Sequence, residues 1–168
     1  MIDFKRAAFQ GTALTLLVLL TFSFWAVCAE GLRLWSLRAE VMPFVVAYIA
    51  IFFGKEWGAG FGCFAGILVD AASGKTAGYY TLYLMIAAIL VGIVSERYFR
   101  THFLASVASG YLVYLLGNLI RMLVVLVIPG KASFSVFFTY FMPAGLYSLL
   151  WSIPLYLVLR RFYRRFEL

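Results

Sequence analysis

From Ala7 to Ala29 the chain carries no charged side chain, and this constrains everything that follows. At about 1.5 Å of rise per residue, a helix over that run is long enough to cross the roughly 30 Å hydrocarbon core of a bilayer. Similar apolar runs recur to the end of the chain, separated by short clusters of charge. Hydrophobic residues make up 65% of the 168 residues and charged ones 12%, against about 25% charged in a soluble domain. There is too little polar surface to cover a soluble globule. The chain reads as one integral membrane domain, residues 1–168, all-α and polytopic.

Taken in order, a basic start (Lys5, Arg6) precedes the first span. This run exceeds the usual signal-peptide core of about 7–15 residues and is read as a retained helix. Glu30 to Glu40 is a loop with Trp35 and Leu37 at the membrane surface. Val41–Phe53, headed by Pro43, and Gly58–Ala72 are two short apolar segments parted by Gly54-Lys55-Glu56-Trp57. They form either two short crossings or a re-entrant hairpin. The charged pair between them favours two crossings. Spans over Tyr79–Ser95, Phe103–Ile128 and Phe134–Leu159 follow, which makes six transmembrane helices with the second and third short. Pro143 and Pro154 are expected to kink the last. An arginine-rich amphipathic tail, Arg160 to Arg165, closes the chain.

The formal charge of +7 resides at the ends of these runs. That distribution reports membrane topology and no nucleic-acid partner. With both termini cytoplasmic, Lys5, Arg6, Lys55, Arg97, Arg100, Arg160, Arg161, Arg164 and Arg165 lie inside. Arg33, Arg38, Lys75 and Lys131 lie outside, so the positive-inside rule is obeyed.

From the separator into the third span glycines recur every fourth residue at Gly54, Gly58, Gly62 and Gly66, and the series resumes in the turn at Gly74 and Gly78. The position that breaks it is Asp70. Residues four apart share a helix face, so Gly58, Gly62 and Gly66 make a smooth edge with a carboxylate on the same line. Each glycine costs roughly 1 kcal/mol against alanine in an exposed helix. In lipid, the compensating gain is close approach by another helix. The edge is read as a packing groove, either internal or open to a partner. Asn118 and Arg121 lie three residues apart on the fifth span. Arg121 stands about 27 Å of helix rise from Phe103, in the same outer half as Asp70. The expectation is that Asp70 and Arg121 face each other, or share a water-lined cavity with Asn118. The alternatives are Asp70 in water at a helix end and Arg121 snorkelling to headgroups.

No catalytic or metal constellation emerges. His102 is the single histidine, and Cys28 and Cys63 lack ligand spacing. The Gly74-Lys75-Thr76 triplet lacks the earlier glycine and the strand of a phosphate-binding loop.

The stretch Gly60-Phe61-Gly62-Cys63-Phe64-Ala65-Gly66-Ile67-Leu68-Val69-Asp70, followed by Ala71-Ala72-Ser73-Gly74 and Gly78, resembles the bacterial rod-shape-determining MreD family. The family motif falls on Gly62, Gly66, Asp70 and Gly74; Arg121 has no counterpart in it. The resemblance implies an inner-membrane component of the cell-elongation machinery. It implies a direct partner in the single-span protein MreC. MreB, the glycan polymerase RodA and its penicillin-binding transpeptidase belong to the same assembly. It also implies no enzymatic activity, no cofactor, and a fold similar to the substrate-binding subunits of energy-coupling-factor vitamin transporters. Two functions follow. A scaffold calls for an apolar groove with small residues open to a partner's span. A vitamin-type transporter subunit calls for an enclosed polar cavity. The few polar residues in the outer half favour the scaffold.

Overall fold

The computed structural model describes residues 2–31, 40–73, 78–98, 103–123, 135 and 137–166. Among these, all regular structure is helical. Six α-helices run α1 (Ile2–Gly31), α2 (Met42–Phe53), α3 (Lys55–Ser73), α4 (Tyr79–Tyr98), α5 (Phe103–Met122) and α6 (Met142–Phe166). A π-helical turn over Phe137–Phe141 leads into α6. Three windows, Phe9–Ala26, Phe103–Met122 and Met142–Arg164, are long and apolar enough to cross a bilayer on length and composition.

The organising element is α2. Every residue from Met42 to Phe52 is buried. A helix apolar on all sides belongs inside a bundle, and α2 has all five other helices around it. Its aromatic residues interlock with α5 and α6. Phe44 stacks on Tyr114, and the ring of Tyr48 meets Tyr156 edge-on at 5.4 Å. The hydroxyls of Tyr48 and Ser152 lie 3.0 Å apart. Pro43 occupies the first turn, where its missing N–H costs nothing.

At the other end of α2, Gly54 adopts φ +94°, a conformation that L side chains rarely take. Its N–H bonds Ala50 O and its carbonyl accepts from Gly58 N. The chain therefore reverses with a single residue between helices. Helix α3 takes in Lys55, Glu56 and Trp57, the residues expected to separate the two spans, and reaches 19 residues against 12 for α2. The Gly54 turn lies at the end of the bundle that holds the chain termini. Phe53 packs on Phe162 and Tyr163 near the end of α6, and Trp57 lies against Gly11 of α1. Pro143 stands in the first turn of α6, after the π-turn, and Pro154 lies within the helix.

Around α2 the outer helices form a ring in the order α1, α3, α4, α5, α6, closed by the contact of Phe24 with Trp151. Their outer faces show apolar residues at helical spacing, such as Leu16 and Leu20 on α1, Leu82, Ile86 and Leu90 on α4, and Leu146 and Leu150 on α6. These are stripes for lipid.

Candidate functional site

Opposite the Gly54 turn, a polar cluster is built from the ends of five helices. It begins with Asp70, three residues before the end of α3. The segment to α4 is short, so the first turn of α4 faces this carboxylate. Asp70 accepts from Tyr80 N at 3.1 Å, Thr81 N at 2.9 Å and the Thr81 hydroxyl at 2.7 Å. A helix leaves its first N–H groups without internal partners and carries a partial positive charge there. The residue before α4 is Gly78, at φ +86°, which has no side chain to cap it. Asp70 supplies the cap from the neighbouring helix.

Arg121 is held by other groups. Its Nη1 donates to the Tyr80 hydroxyl at 2.6 Å and lies 3.7 Å from Glu40 Oε1, and its guanidinium stands 5.6 Å from the Tyr80 ring centroid. The other carboxylate oxygen of Glu40 accepts from Asn118 Nδ2 at 3.2 Å, and the Glu40 N–H donates to Ser148 Oγ on α6. Asn118 also donates to Tyr114 O within α5. Glu40 therefore ties the start of α2 to α5 and α6, and Tyr80 links both halves of the cluster. Its N–H is held by Asp70 and its hydroxyl by Arg121.

The expected pairing of Asp70 with Arg121 is thus replaced. The N-terminus of α4 offers Asp70 two backbone donors and a hydroxyl. Glu40 and Tyr80 offer Arg121 nearer acceptors. Asn118 does share a partner with Arg121, and that partner is Glu40. Glu40 was assigned to a surface loop. Its sequence signal was its position as the last charge before an all-apolar helix headed by proline.

The glycine edge is also redistributed. A Cβ on Gly58 would stand 2.5 Å from Ala50 Cβ on α2. On Gly62 it would stand 2.8 Å from Leu84 O, and on Gly66 2.3 Å from Thr81 Cα, both on α4. The edge is a packing surface filled by the chain's own helices, since α3 is wedged between α2 and α4. A partner's span has no room along it, so of the two readings of Gly58, Gly62 and Gly66 the contacts are those of internal packing and not of a partner groove. Gly78 forms the turn before α4 as expected; Gly74 lies outside the described residues. So do His102 and the Pro129–Lys131 stretch.

The family profile described as "rod shape-determining protein MreD" matches residues 5–166. The chain belongs to the MreD family. The match takes in α1 from Lys5 onward and the other five helices, and Gly62, Gly66 and Asp70 sit where α3 packs on and caps α4. No curated protein compared with the chain matches it. No solved structure matches it either. Membership of the MreD family assigns the chain a role in rod-shape determination as a membrane protein.

Proposed function

We propose that this MreD-family protein is a non-enzymatic scaffold of the cell-elongation machinery. It sits in the bacterial inner membrane, holds MreC directly, and through it places RodA, the penicillin-binding transpeptidase and MreB filaments at the lateral wall. The observation that carries this reading is the family match over residues 5–166. The construction of the bundle agrees with it. The polar groups at the far end are engaged with one another, in bonds from Glu40 to Asn118 and from Arg121 to Tyr80. A vitamin site of the energy-coupling-factor type, the fold to which the family is compared, would turn such groups into an enclosed cavity. Charge supports the orientation with both termini in the cytoplasm: Lys55, Arg160, Arg161 and Arg164 lie towards the end of the bundle where α1 begins and α6 ends, the end that the positive-inside rule favours for that side.

The test is capture of the tagged chain from mildly solubilised membranes of a rod-shaped host whose own family member has been removed, with mass spectrometry of proteins and small molecules together. The scaffold reading predicts stoichiometric MreC and restored rod shape. Capture without MreC but with a stoichiometric water-soluble ligand would establish the transporter reading instead.

A further inference from the structure

Helix α6 does not stop where its apolar run stops. Met142 to Leu159 supplies about 27 Å of rise, close to the roughly 30 Å hydrocarbon core, and the helix then continues to Phe166. Four of the six residues from Arg160 to Arg165 are arginine. The aromatic residues among them fix how this end is turned. Phe162 packs on Phe53, and Tyr163 meets Phe52 at 5.6 Å and Phe53 at 5.7 Å between ring centroids, so both rings are anchored to the end of α2. At about 100° per residue, Arg160, Arg164 and Arg161 fall in that order within an arc of about 100°, and the two rings lie on the other flank. Arg161 and Arg164 are exposed and Arg160 is half-exposed. Among the described residues, none of these three arginines has an ion-pair or hydrogen-bond partner.

We infer that this end of α6 binds the phosphate of an anionic phospholipid in the adjoining leaflet, with Arg160, Arg161 and Arg164 as the donors. The inference goes beyond the scaffold reading and does not depend on it. Three observations carry it. The first is charge. Like charges three or four residues apart on a helix repel. The helix dipole favours a cation in the last turn, which takes in Arg164, but Arg160 and Arg161 lie before that turn. An anion between the three relieves the repulsion, and guanidinium forks match phosphate oxygens bidentately. The second is depth. Arg160 directly follows Leu159, the last residue of the apolar run. The guanidinium groups therefore stand at the level of the lipid headgroups, and a basic cluster just beyond a span is the arrangement that gathers anionic lipid. A zwitterionic headgroup brings an ammonium that the arginines oppose. The third is order. Topology needs only a count of charges on one side of the membrane, which a loose tail would supply. Here a helix pinned by two rings presents the guanidinium groups together, so little ordering remains to be done when the phosphate arrives.

The experiment reconstitutes the full-length chain into phosphatidylcholine bilayers with a trace of spin-labelled phosphatidylglycerol or spin-labelled phosphatidylcholine. Electron spin resonance reads the motionally restricted fraction of each label. The unmodified chain is expected to prefer the anionic label by about fivefold or more, the factor that one basic residue near an anionic headgroup supplies. Arg160→Gln, Arg161→Gln and Arg164→Gln together should bring the ratio below about twofold. Lys5→Gln with Arg6→Gln removes charge from the other terminus and should leave the ratio unchanged. Replacing the same three arginines with lysine keeps the charge, the topology and the helix, and should still lose at least half of the preference, because an ammonium cannot take a phosphate bidentately. Inorganic phosphate in excess over the label should not displace the lipid. The assignment falls if the unmodified chain restricts both labels equally, if the glutamine variant keeps the preference, or if the Lys5 and Arg6 variant loses as much. A lysine variant equal to the unmodified chain would also overturn it, since charge at a distance would then suffice. Displacement by inorganic phosphate would overturn it in favour of a soluble anion.

Discussion

Replacing Asp70 with alanine removes three acceptor contacts from the first turn of α4 in one step. Three bonds to a charged acceptor would sum to about 5–9 kcal/mol if nothing replaced them. The carboxylate is only partly buried, and the freed N–H groups lie at the end of the bundle, so water recovers much of that. Loss of a helix cap costs roughly 0.5–2 kcal/mol, loss of an anion at the helix N-terminus about 0.3–1, and loss of the hydroxyl bond about 1. The expected destabilisation is therefore about 2–4 kcal/mol. The geometry also fixes the coupling. Thr81→Val removes one of the same three bonds. The Asp70→Ala and Thr81→Val effects should therefore fall short of additivity by about 1 kcal/mol. Arg121 does not touch Asp70, so Asp70→Ala and Arg121→Ala should add to within about 0.5 kcal/mol. The assay is denaturant unfolding in bicelles, followed by far-ultraviolet circular dichroism. A coupling with Arg121 larger than that with Thr81 would refute the capping argument and restore a direct ion pair.

The same unfolding assay checks two further expectations. Gly66→Ala drives a methyl group to 2.3 Å from Thr81 Cα and should cost about 1–3 kcal/mol by forcing α3 and α4 apart, whereas Gly60→Ala meets open space and should be neutral or stabilising by up to about 1 kcal/mol. Arg121→Ala removes the donor to the Tyr80 hydroxyl and the guanidinium 3.7 Å from Glu40, and should cost about 1–3 kcal/mol, less when Glu40→Gln is already present because only the Tyr80 bond is then lost.

The helices were legible because lipid imposes a simple rule: long uncharged runs must satisfy their own backbone. Pro43 at the head of α2 and Gly78 at the turn before α4 followed from local geometry. Three features were not legible. The glycines of α3 share one helix face, which reads as one surface for one neighbour. In the fold that face is divided between α2 and α4, and spacing alone does not count neighbours. Asp70 and Arg121 were matched by sign and depth, yet backbone N–H groups at a helix start compete for a carboxylate as effectively as a cation, and hydropathy says nothing of where those groups point. Glu40 was hidden because a loop residue next to a short apolar run carries no sign that the run is the buried axis of the bundle. The run did hold one sign. Met42 to Phe53 is apolar on every face, without the polar stripe of a peripheral helix.

The central claim is that α2 is enclosed on all sides and that the other five helices are built around it. Tryptophan scanning tests it most directly, with folded yield read by fluorescence-detected size exclusion after mild solubilisation. Substitution at each position from Phe44 to Ile51 should reduce folded yield without periodic relief, because each is no more than 4% exposed. Tryptophan at Leu82, Ile86, Leu90 and Ile93, all on the exposed face of α4, should be tolerated. A tolerant position recurring every three or four residues along α2 would show that it faces lipid, and would contradict the account.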